Sequence, residues 1–227
     1  MKKTWCIGQI TGEYLARMEN ILHLHRLVYD AARPVVNLDE MPIQLLGEVA
    51  APLPMKKDAP KKVDYEYQRC GTAAVFVAVE PLSGQRIIEV SERRTKADYC
   101  RFLQKVAAIY PDAAKIVLIQ DNLNTHNASS FYENLPPSEA FALAQRFEFH
   151  YTPKKASWLN IAELELSALA RVCLSRRIAT IEQLRSQLEA IVKQRNKEQA
   201  KIQWQFSIED ARTKLKRHYE TLITKLT

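Results

Sequence analysis

Two short apolar segments of the sequence each run into an aspartate. Asp121 follows the segment IVLIQ at 116–120, and Asp39 follows the segment VVNL at 35–38. A strand interior favours Val and Ile, so an acid at this point is either a turn residue or a ligand for something positive. Ligands bind beyond the carboxyl ends of parallel strands. Two such strands lying side by side would therefore bring both carboxylates to one edge of a sheet.

A third carboxylate is expected from the predicted helix WLNIAELELSALARVCLSRR, which covers residues 158–177. At about 100° per residue, Glu163 and Glu165 flank its apolar stripe on opposite sides. Glu163 shares its side with Asn160 and Arg171, whereas Glu165 lies among more apolar neighbours. These polar neighbours favour Glu163 as the third acid, and Glu165 stays open as the alternative.

Three carboxylates that converge repel one another unless a cation lies between them. Carboxylate oxygens with open coordination positions suit Mg²⁺ or Mn²⁺. Two such ions can activate an attacking water or hydroxyl and stabilise the leaving oxygen of a phosphoryl transfer. The structural alternative treats Asp39 and Asp121 as caps at strand ends and Glu163 as a solvated helix residue. The joint appearance of the three acids in this order favours the metal site.

The elements that must position these acids alternate between helices and strands. Residues 49–70 contain three prolines and are predicted to form a loop. Thr180 and Ser207 are predicted to cap the last two helices. The alternation predicts an α/β fold, with a mixed sheet flanked by helices and a helical C-terminal region. We expect helices over 12–30, 96–110, 129–141 with a break at the two prolines 136–137, and 158–177, and strands over 35–38, 72–80, 85–90, 115–120 and 147–151.

The positive charge of the chain is concentrated at its C-terminal end. The net charge is +7 over 227 residues, of which 47% are hydrophobic. Residues 171–227 carry 13 basic and 6 acidic side chains, whereas residues 1–170 carry 20 of each. This distribution favours a polyanion such as DNA as a partner, against the alternative of a merely solvated surface.

No apolar run approaches the roughly 20 residues of a membrane span. No CxxC pair occurs among the four cysteines, which predicts reduced thiols and a cytosolic protein.

Three blocks of this sequence resemble the acidic blocks of bacterial insertion-sequence transposases related to mariner. The blocks are NLDE at 37–40, QDNLNTH at 120–126 and HYTPKKASWLNIAELELSAL at 150–169. The flanking segments 64–86, 93–99 and 210–219 fit the same family, so the resemblance covers nearly the whole chain. These transposases belong to the DDE superfamily of endonucleases and have a ribonuclease H-like fold.

The resemblance implies that Asp39, Asp121 and Glu163 are the catalytic, metal-binding triad, because the third acid of the family follows a Leu-Asn-x-x pattern. It implies two Mg²⁺ or Mn²⁺ ions, cleavage of double-stranded DNA at the ends of the element, and transfer of the freed 3′-hydroxyl to target DNA. A homodimer is expected, since two ends must be held together. The implied domains are an N-terminal helical linker at 1–32, a ribonuclease H-like catalytic domain at 33–178 and basic C-terminal helices at 179–227, in a bacterial cytoplasmic protein that associates with the nucleoid when bound to DNA.

The chain departs from the family pattern in two places. Where the family has Lys-His-Gly-Ser-Trp before the third acid, residues 154–158 read KKASW, which is expected to alter that loop. Full-length members also carry a helix-turn-helix region upstream of the position that is residue 1 here. We therefore expect either a separately encoded helix-turn-helix partner or a truncated remnant. A catalytically silent regulator and a structure-selective nuclease on the same fold are the alternative functions.

Several basic residues near the third acid are candidate DNA contacts. Lys154 and Lys155 precede Glu163 and are placed to hold a phosphate, with a plain solvated loop as the alternative. His126, five residues after Asp121, is expected either to approach the metal site or the DNA, or to cap its loop. Candidate phosphate contacts on or just beyond the helix that carries Glu163 are Arg171, Arg176 and Arg177.

Overall fold

Five strands form one mixed sheet in the order β3-β2-β1-β4-β5. The computed structural model describes residues 10–51, 55, 57, 64–123, 126–173 and 176–224, without the side chain of residue 223. The pairs β1–β2 and β2–β3 are antiparallel, whereas β1–β4 and β4–β5 are parallel. The predicted α/β arrangement is confirmed. The strands are β1 (Val35–Glu48), β2 (Tyr67–Glu80), β3 (Gln85–Ser91), β4 (Ile116–Gln120) and β5 (Phe147–Tyr151).

Eight α-helices surround this sheet in the described part of the chain. The predicted break at the two prolines is present, because one short helix ends before them and the next begins at Pro137. A single 3-10 turn, Ser157–Leu159, precedes the helix that carries Glu163. The helices are α1 (Gly12–Leu24), α2 (Lys96–Ile109), α3 (Ser129–Tyr132), α4 (Pro137–Arg146), α5 (Ile161–Cys173), α6 (Ile181–Lys197), α7 (Ile208–Lys214) and α8 (Lys216–Thr224).

Helices cover both faces of the sheet, which explains the continuous apolar run in β2. Phe76 points to the face covered by α2, α3 and α4, where it meets Phe102. Val75 and Val77 point to the other face, where they pack with α5 and α6. A strand that is buried on both faces has no position for a solvated polar residue. The apolar run therefore marks a central strand.

Helix α1 is part of the folded body of the protein. Its residues Met18, Ile21 and Leu22 are fully buried, in a cluster that also contains Val117 and Ile119 of β4 and Ala211 of α7. The helix ends at Leu24, although a helix to residue 30 was predicted, and His25 caps it. The first and the last parts of the described chain thus pack together on β4.

Strand β1 is much longer than predicted. It was expected to end at residue 38 and instead continues to Glu48, because β2 begins at Tyr67 and pairs with it over this whole length. Asp39 therefore lies inside a strand and not at its end, which corrects the sequence-based expectation. The predicted loop over 49–70 is shortened in the same way, and part of it lies outside the described residues.

The state of the cysteine thiols and the length and polarity of the helices can be compared with what the composition predicts. Cys70, Cys100 and Cys173 are free, and Cys6 lies outside the described residues. Burial raises the pKa of the Cys100 and Cys173 thiols, so neither is an activated nucleophile. Within the described ranges, every helix is too short or too polar to cross a membrane.

Replacing Gly84 by alanine is expected to destabilise the fold by roughly 2–4 kcal/mol. Gly84 has a φ of +79°, and an added Cβ would lie 2.7 Å from the backbone carbon of Gln199, so both the backbone and the packing oppose a side chain. Urea denaturation measures the effect. Gly12→Ala is the control, because nothing lies within 4 Å of an added Cβ there, and an equal loss in both variants would contradict the packing argument.

Candidate active site

The register of β1 and β4 brings Asp39 and Asp121 to the same place. The last parallel pair is Asn37 opposite Ile119. Continuing this register by two residues puts Asp39 opposite Asp121, just beyond the end of β4. This register puts the two acids on neighbouring strands at the carboxyl end of β4, although β1 itself runs on.

Two buried asparagines fix the start of α5 against β1. The side-chain amide of Asn160 donates to the carbonyl of Leu38 over 2.7 Å, and its oxygen accepts from the N–H of Ala162 over 3.1 Å. The N–H of Ile161 donates to the side-chain oxygen of Asn37 over 3.4 Å. Asn160 is thus an N-cap residue that also bonds the neighbouring strand. Glu163, in the first turn of α5, is held next to Asp39 by these contacts.

Asp39 experiences the other acids directly. Burial raises the pKa of this carboxyl to about 7, since the N–H bond from Glu40 only partly offsets it and the negative charges of Asp121, Glu40 and Glu163 add to it. Burial is the largest cause of this raised pKa, and the smaller effects of Asp121, Glu40 and Glu163 indicate that these carboxylates lie near Asp39. The structure therefore contains an acidic cluster that combines all three acids selected from the sequence.

His126 lies between two of the acids. Its Nδ1 is 2.5 Å from Asp121 Oδ1, and its Nε2 is 2.9 Å from a carboxylate oxygen of Glu40. The ring stacks on Tyr99 with 4.8 Å between ring centroids. Burial by itself lowers the pKa of His126, but the bonds to Asp121 and Glu40 raise it to about 9. His126 is therefore an imidazolium ion at neutral pH that holds the two carboxylates in place.

This contact explains why Glu40, Asp121 and His126 form a compact group. Their ligand atoms all lie within 4.8 Å of one another, closer together than the three acids Asp39, Asp121 and Glu163. The two carboxylates favour the protonated ring, which has no lone pair for a metal, so in the metal-free protein this group is an ion-pair arrangement. A carboxylate has two oxygens, and Asp121 can accept from His126 with one and bind a cation with the other.

Glu165 points away from the acidic cluster. Its carboxylate lies 2.9 Å from the Nε atoms of both Arg86 and Arg195, and the Arg86 and Glu165 side chains are 0% and 1% exposed. Arg86 also donates to the carbonyls of Gly84 and Ala200, each over 2.7 Å. This buried ion cluster joins α5, β3 and α6. Helix geometry alone leaves both Glu163 and Glu165 open as the third acid. In the structure Glu165 is paired with two arginines that lie far away in the sequence, which leaves Glu163.

The loop before Glu163 accommodates the residues in which it differs from the family pattern. Ala156, at the family's glycine position, has a φ of −123° and is fully buried, so a side chain is tolerated there. The positive φ falls on Lys155 instead, at 63°. The loop is therefore closed by a lysine in a conformation that glycine adopts more easily.

The predicted DNA contacts differ in their surroundings. Lys154, Lys155, Arg171 and Arg176 are exposed. The guanidinium of Arg177 is used inside the protein, where it contacts Glu48 and the carbonyls of Asp64 and Glu66. His126 is 1% exposed with both ring nitrogens facing carboxylates, so the DNA contact considered for it is withdrawn, and its approach to the acidic site is the alternative that fits.

Sequence reasoning missed three residues of this site. Glu40 and Asn37 belong to the block NLDE at 37–40, but the sequence predicts no contact for either side chain. Asn160 was noted for its polarity but not for its bond to Leu38. The signal available was the presence of these polar residues inside otherwise apolar segments, because a buried polar group needs a partner.

The fold and this acidic cluster together define a ribonuclease H-like nuclease domain. A family model described as DDE superfamily endonuclease matches residues 34–185, which is more than half of the chain and includes all three acids. The chain therefore belongs to the DDE superfamily of endonucleases. No curated protein matches it by sequence.

Several crystal structures of the mariner transposase Mos1 are similar in fold. The paired-end complex with Mn aligns with a TM-score of 0.54 and 14% identity over 99% of this chain and 67% of that one. The paired-end complex with Mg aligns with a TM-score of 0.56 and 15% identity over 99% and 66%. The strand transfer complex aligns with a TM-score of 0.55 and 14% identity over 88% and 63%. The chain thus spans about two thirds of the length of these Mos1 chains.

Proposed function

We propose that this chain is the catalytic portion of a DNA transposase that cleaves DNA strands and transfers them to a target, moving an insertion sequence. The observation that carries the proposal is the cluster of Asp39, Asp121 and Glu163 at the sheet edge of a DDE superfamily domain. The similar Mos1 structures, which are named as paired-end and strand transfer complexes, support transposition as the form of the chemistry.

The donor set fits a divalent cation. Asp39 is partly buried among three further carboxylates. Two positive charges contact this group: His126, which is shared between Glu40 and Asp121, and the exposed Arg94, which lies 3.8 Å from Glu40. This leaves negative charge that hard cations such as Mg²⁺ or Mn²⁺ neutralise. Asp39, Asp121 and Glu163 would hold two such ions, which polarise phosphate oxygens and lower the pKa of a bound water or hydroxyl.

The protein's own residues position this site. His126 fixes the orientation of Asp121 from one side, and Asn160 fixes the start of α5 and thereby Glu163 from the other. Lys154 and Lys155 lie in the loop that leads to α5, and Arg171 and Arg176 lie on α5 and just beyond it. These exposed cations would contact DNA phosphates, which makes binding by this chain strongly dependent on salt and weakly dependent on sequence.

The partners follow from the reaction. Double-stranded DNA supplies both the element ends and the target, and a homodimer would hold two ends together. Recognition of the ends would come from a helix-turn-helix partner. Such a protein would act in the bacterial cytoplasm, on the nucleoid.

A strand transfer assay tests the proposal. The protein is incubated with Mn²⁺, supercoiled plasmid and a labelled duplex with a free 3′-hydroxyl, and plasmid-joined label is the expected product. Chelation of Mn²⁺ or the substitution Glu163→Gln should remove this product. Plasmid nicking without joining would indicate the nuclease alternative, and Mn²⁺ binding without any DNA reaction would indicate the regulator.

The substitution His126→Ala is expected to weaken Mn²⁺ binding by about 10–100-fold, because residues that orient metal ligands contribute this much to affinity. Titration calorimetry measures the change, and circular dichroism checks the fold. His23→Ala is the matched control, since His23 is an exposed histidine on α1. Unchanged affinity in a folded His126→Ala variant would show that Asp121 does not need this contact.

A further inference from the structure

A groove next to the acidic cluster is lined by residues that are not members of the acidic triad. It has a volume of about 360 Å³ and lies between the start of α1 and the loop after β5. The lining includes Tyr14 and Arg17 of α1, Lys154 of the loop, and Asn122. The size is within the range of roughly 300–1,000 Å³ that small-molecule ligands occupy. It suits one nucleotide and is too small for a base pair with its two backbones.

The groove opens at the same edge of the sheet as the three acids. Asn122 directly follows Asp121, and Lys154 lies three residues after the end of β5, the strand next to β4. A DNA strand whose phosphate reaches Asp121 would therefore have its neighbouring nucleotide at this groove. This argument rests on the function proposed above.

Two cations in the groove are available to a phosphate. Lys154 is exposed, and Arg17 pairs with Glu13 on the same helix over 2.7 Å. The Glu13 side chain is 72% exposed, and an exposed ion pair of this kind contributes little to stability. Arg17 can therefore leave Glu13 for a phosphate at small cost, and with Lys154 it gives this groove a net positive charge.

The other residues that line the groove can contact a nucleotide base. Tyr14 is half-buried, and the side chain of Trp158 lies next to its hydroxyl. Stacking on an aromatic ring binds bases of any type. The side-chain amide of Asn122, exposed at the same groove, offers a donor and an acceptor for a base edge. Stacking on the Tyr14 ring reaches only a base that is not stacked within a duplex.

We propose that this groove binds one unpaired nucleotide of the DNA strand that enters the acidic site, with its phosphate between Arg17 and Lys154 and its base on Tyr14. Helix α1, predicted from the sequence as a linker, thereby becomes part of the DNA-binding surface. The groove selects a strand whose end is frayed or unpaired next to the reacting phosphate.

Fluorescence anisotropy with a labelled ten-residue thymidine oligonucleotide tests this, in EDTA so that the metal site does not contribute. The double variant Arg17→Ala/Lys154→Ala should weaken binding at least tenfold and reduce the slope of log affinity against log salt by about 0.7, for the one phosphate that the two cations share on a single strand. The matched control is Lys193→Ala/Lys197→Ala. It also removes two positive charges, but from α6, which packs on β3 at the opposite edge of the sheet.

The base contact has its own pair of variants. Tyr14→Leu should weaken oligonucleotide binding about tenfold, whereas Tyr14→Phe, which keeps the ring, should stay within about twofold of the wild type. A blunt duplex of the same length should show little difference among these variants. Equal effects of the groove and control variants, or equal binding of Tyr14→Leu and wild type, would overturn the proposal.

The two proposals fail separately. If the groove variants lose oligonucleotide binding but the wild type joins no DNA ends, the groove stands and the transposase function fails. If the wild type joins DNA ends and the groove variants bind and join equally well, the function stands and the groove proposal fails.

Discussion

Replacing Glu165 by glutamine is expected to lower the free energy of unfolding by about 3–5 kcal/mol, the range found when one partner of a buried ion pair is removed. Glu165 lies between Arg86 and Arg195, and the Arg86 side chain has no exposed surface. Glutamine keeps the shape but not the charge, so the Arg86 guanidinium stays buried without its counter-ion. Urea denaturation followed by circular dichroism measures the loss.

The same substitution two residues earlier is expected to do the opposite. Glu163→Gln should change the stability by less than about 1 kcal/mol, because Glu163 has no such buried partner among the described residues. It should lower strand transfer by at least about a thousandfold, since a metal ligand acts on several kcal/mol of transition-state charge. A stable but inactive Glu165→Gln variant, or an active Glu163→Gln variant, would show that the roles of the two acids are reversed.

The metal-free protein is expected to become more stable when Asp39 is replaced by asparagine. The pKa of Asp39 is about 7 in the folded protein and about 3.8 when unfolded, so the folded state holds a proton that the unfolded chain releases. Stability is fully present below pH 4 and is lost as the pH rises to about 7. At pH 8 the variant should therefore gain about 2–4 kcal/mol, and near pH 4 it should equal the wild type.

Mn²⁺ should reverse this order. A ligand that binds only the folded state stabilises it by about 2.7 kcal/mol at a hundred times its dissociation constant, and the wild type should gain this while Asp39→Asn does not. Thermal denaturation in EDTA and in Mn²⁺ at pH 8 measures both effects. An Asp39→Asn variant that is no more stable than the wild type in EDTA would contradict the destabilisation that burial of the Asp39 charge, with its acidic neighbours, causes in the metal-free protein.

Much of the scaffold was predictable because its elements follow local rules. The apolar segment before Asp121 is β4, and the prolines at 136–137 separate α3 from α4. Thr180 and Ser207 cap α6 and α7, because their side chains accept from the N–H groups of Gln183 and Asp210. Each of these signals lies within a few residues of the element it defines, so the sequence alone is enough to find it.

The supporting contacts of the site were not predictable in the same way. Nothing near Glu165 in the sequence indicates Arg86, and nothing near Glu40 indicates that His126 reaches it. These pairs are made by the order of strands in the sheet and by the packing of α5 on it. The length of β1 is a similar case, because residues 41–48 become a strand only through their pairing with β2.

The acidic cluster was partly predictable from the sequence. Its acids were found from their positions after apolar segments and from the family resemblance, but their proximity depends on the β1–β4 register. The pairing of β5 with β4 in turn places the loop after β5 near Asp121. Lys154 of the groove was a candidate phosphate contact in the sequence, but nothing in the sequence indicates that Tyr14 and Arg17 of α1 lie beside it.

The central claim is that the carboxylate of Asp121 binds a metal ion. Titration calorimetry with Mn²⁺ on the wild type and on Asp121→Asn, with the folding of both checked by circular dichroism, tests it most directly and does not depend on end recognition. We predict that the wild type binds Mn²⁺ and that the folded Asp121→Asn variant loses this binding. Equal Mn²⁺ binding by both proteins, or no binding by a folded wild type, would contradict the claim.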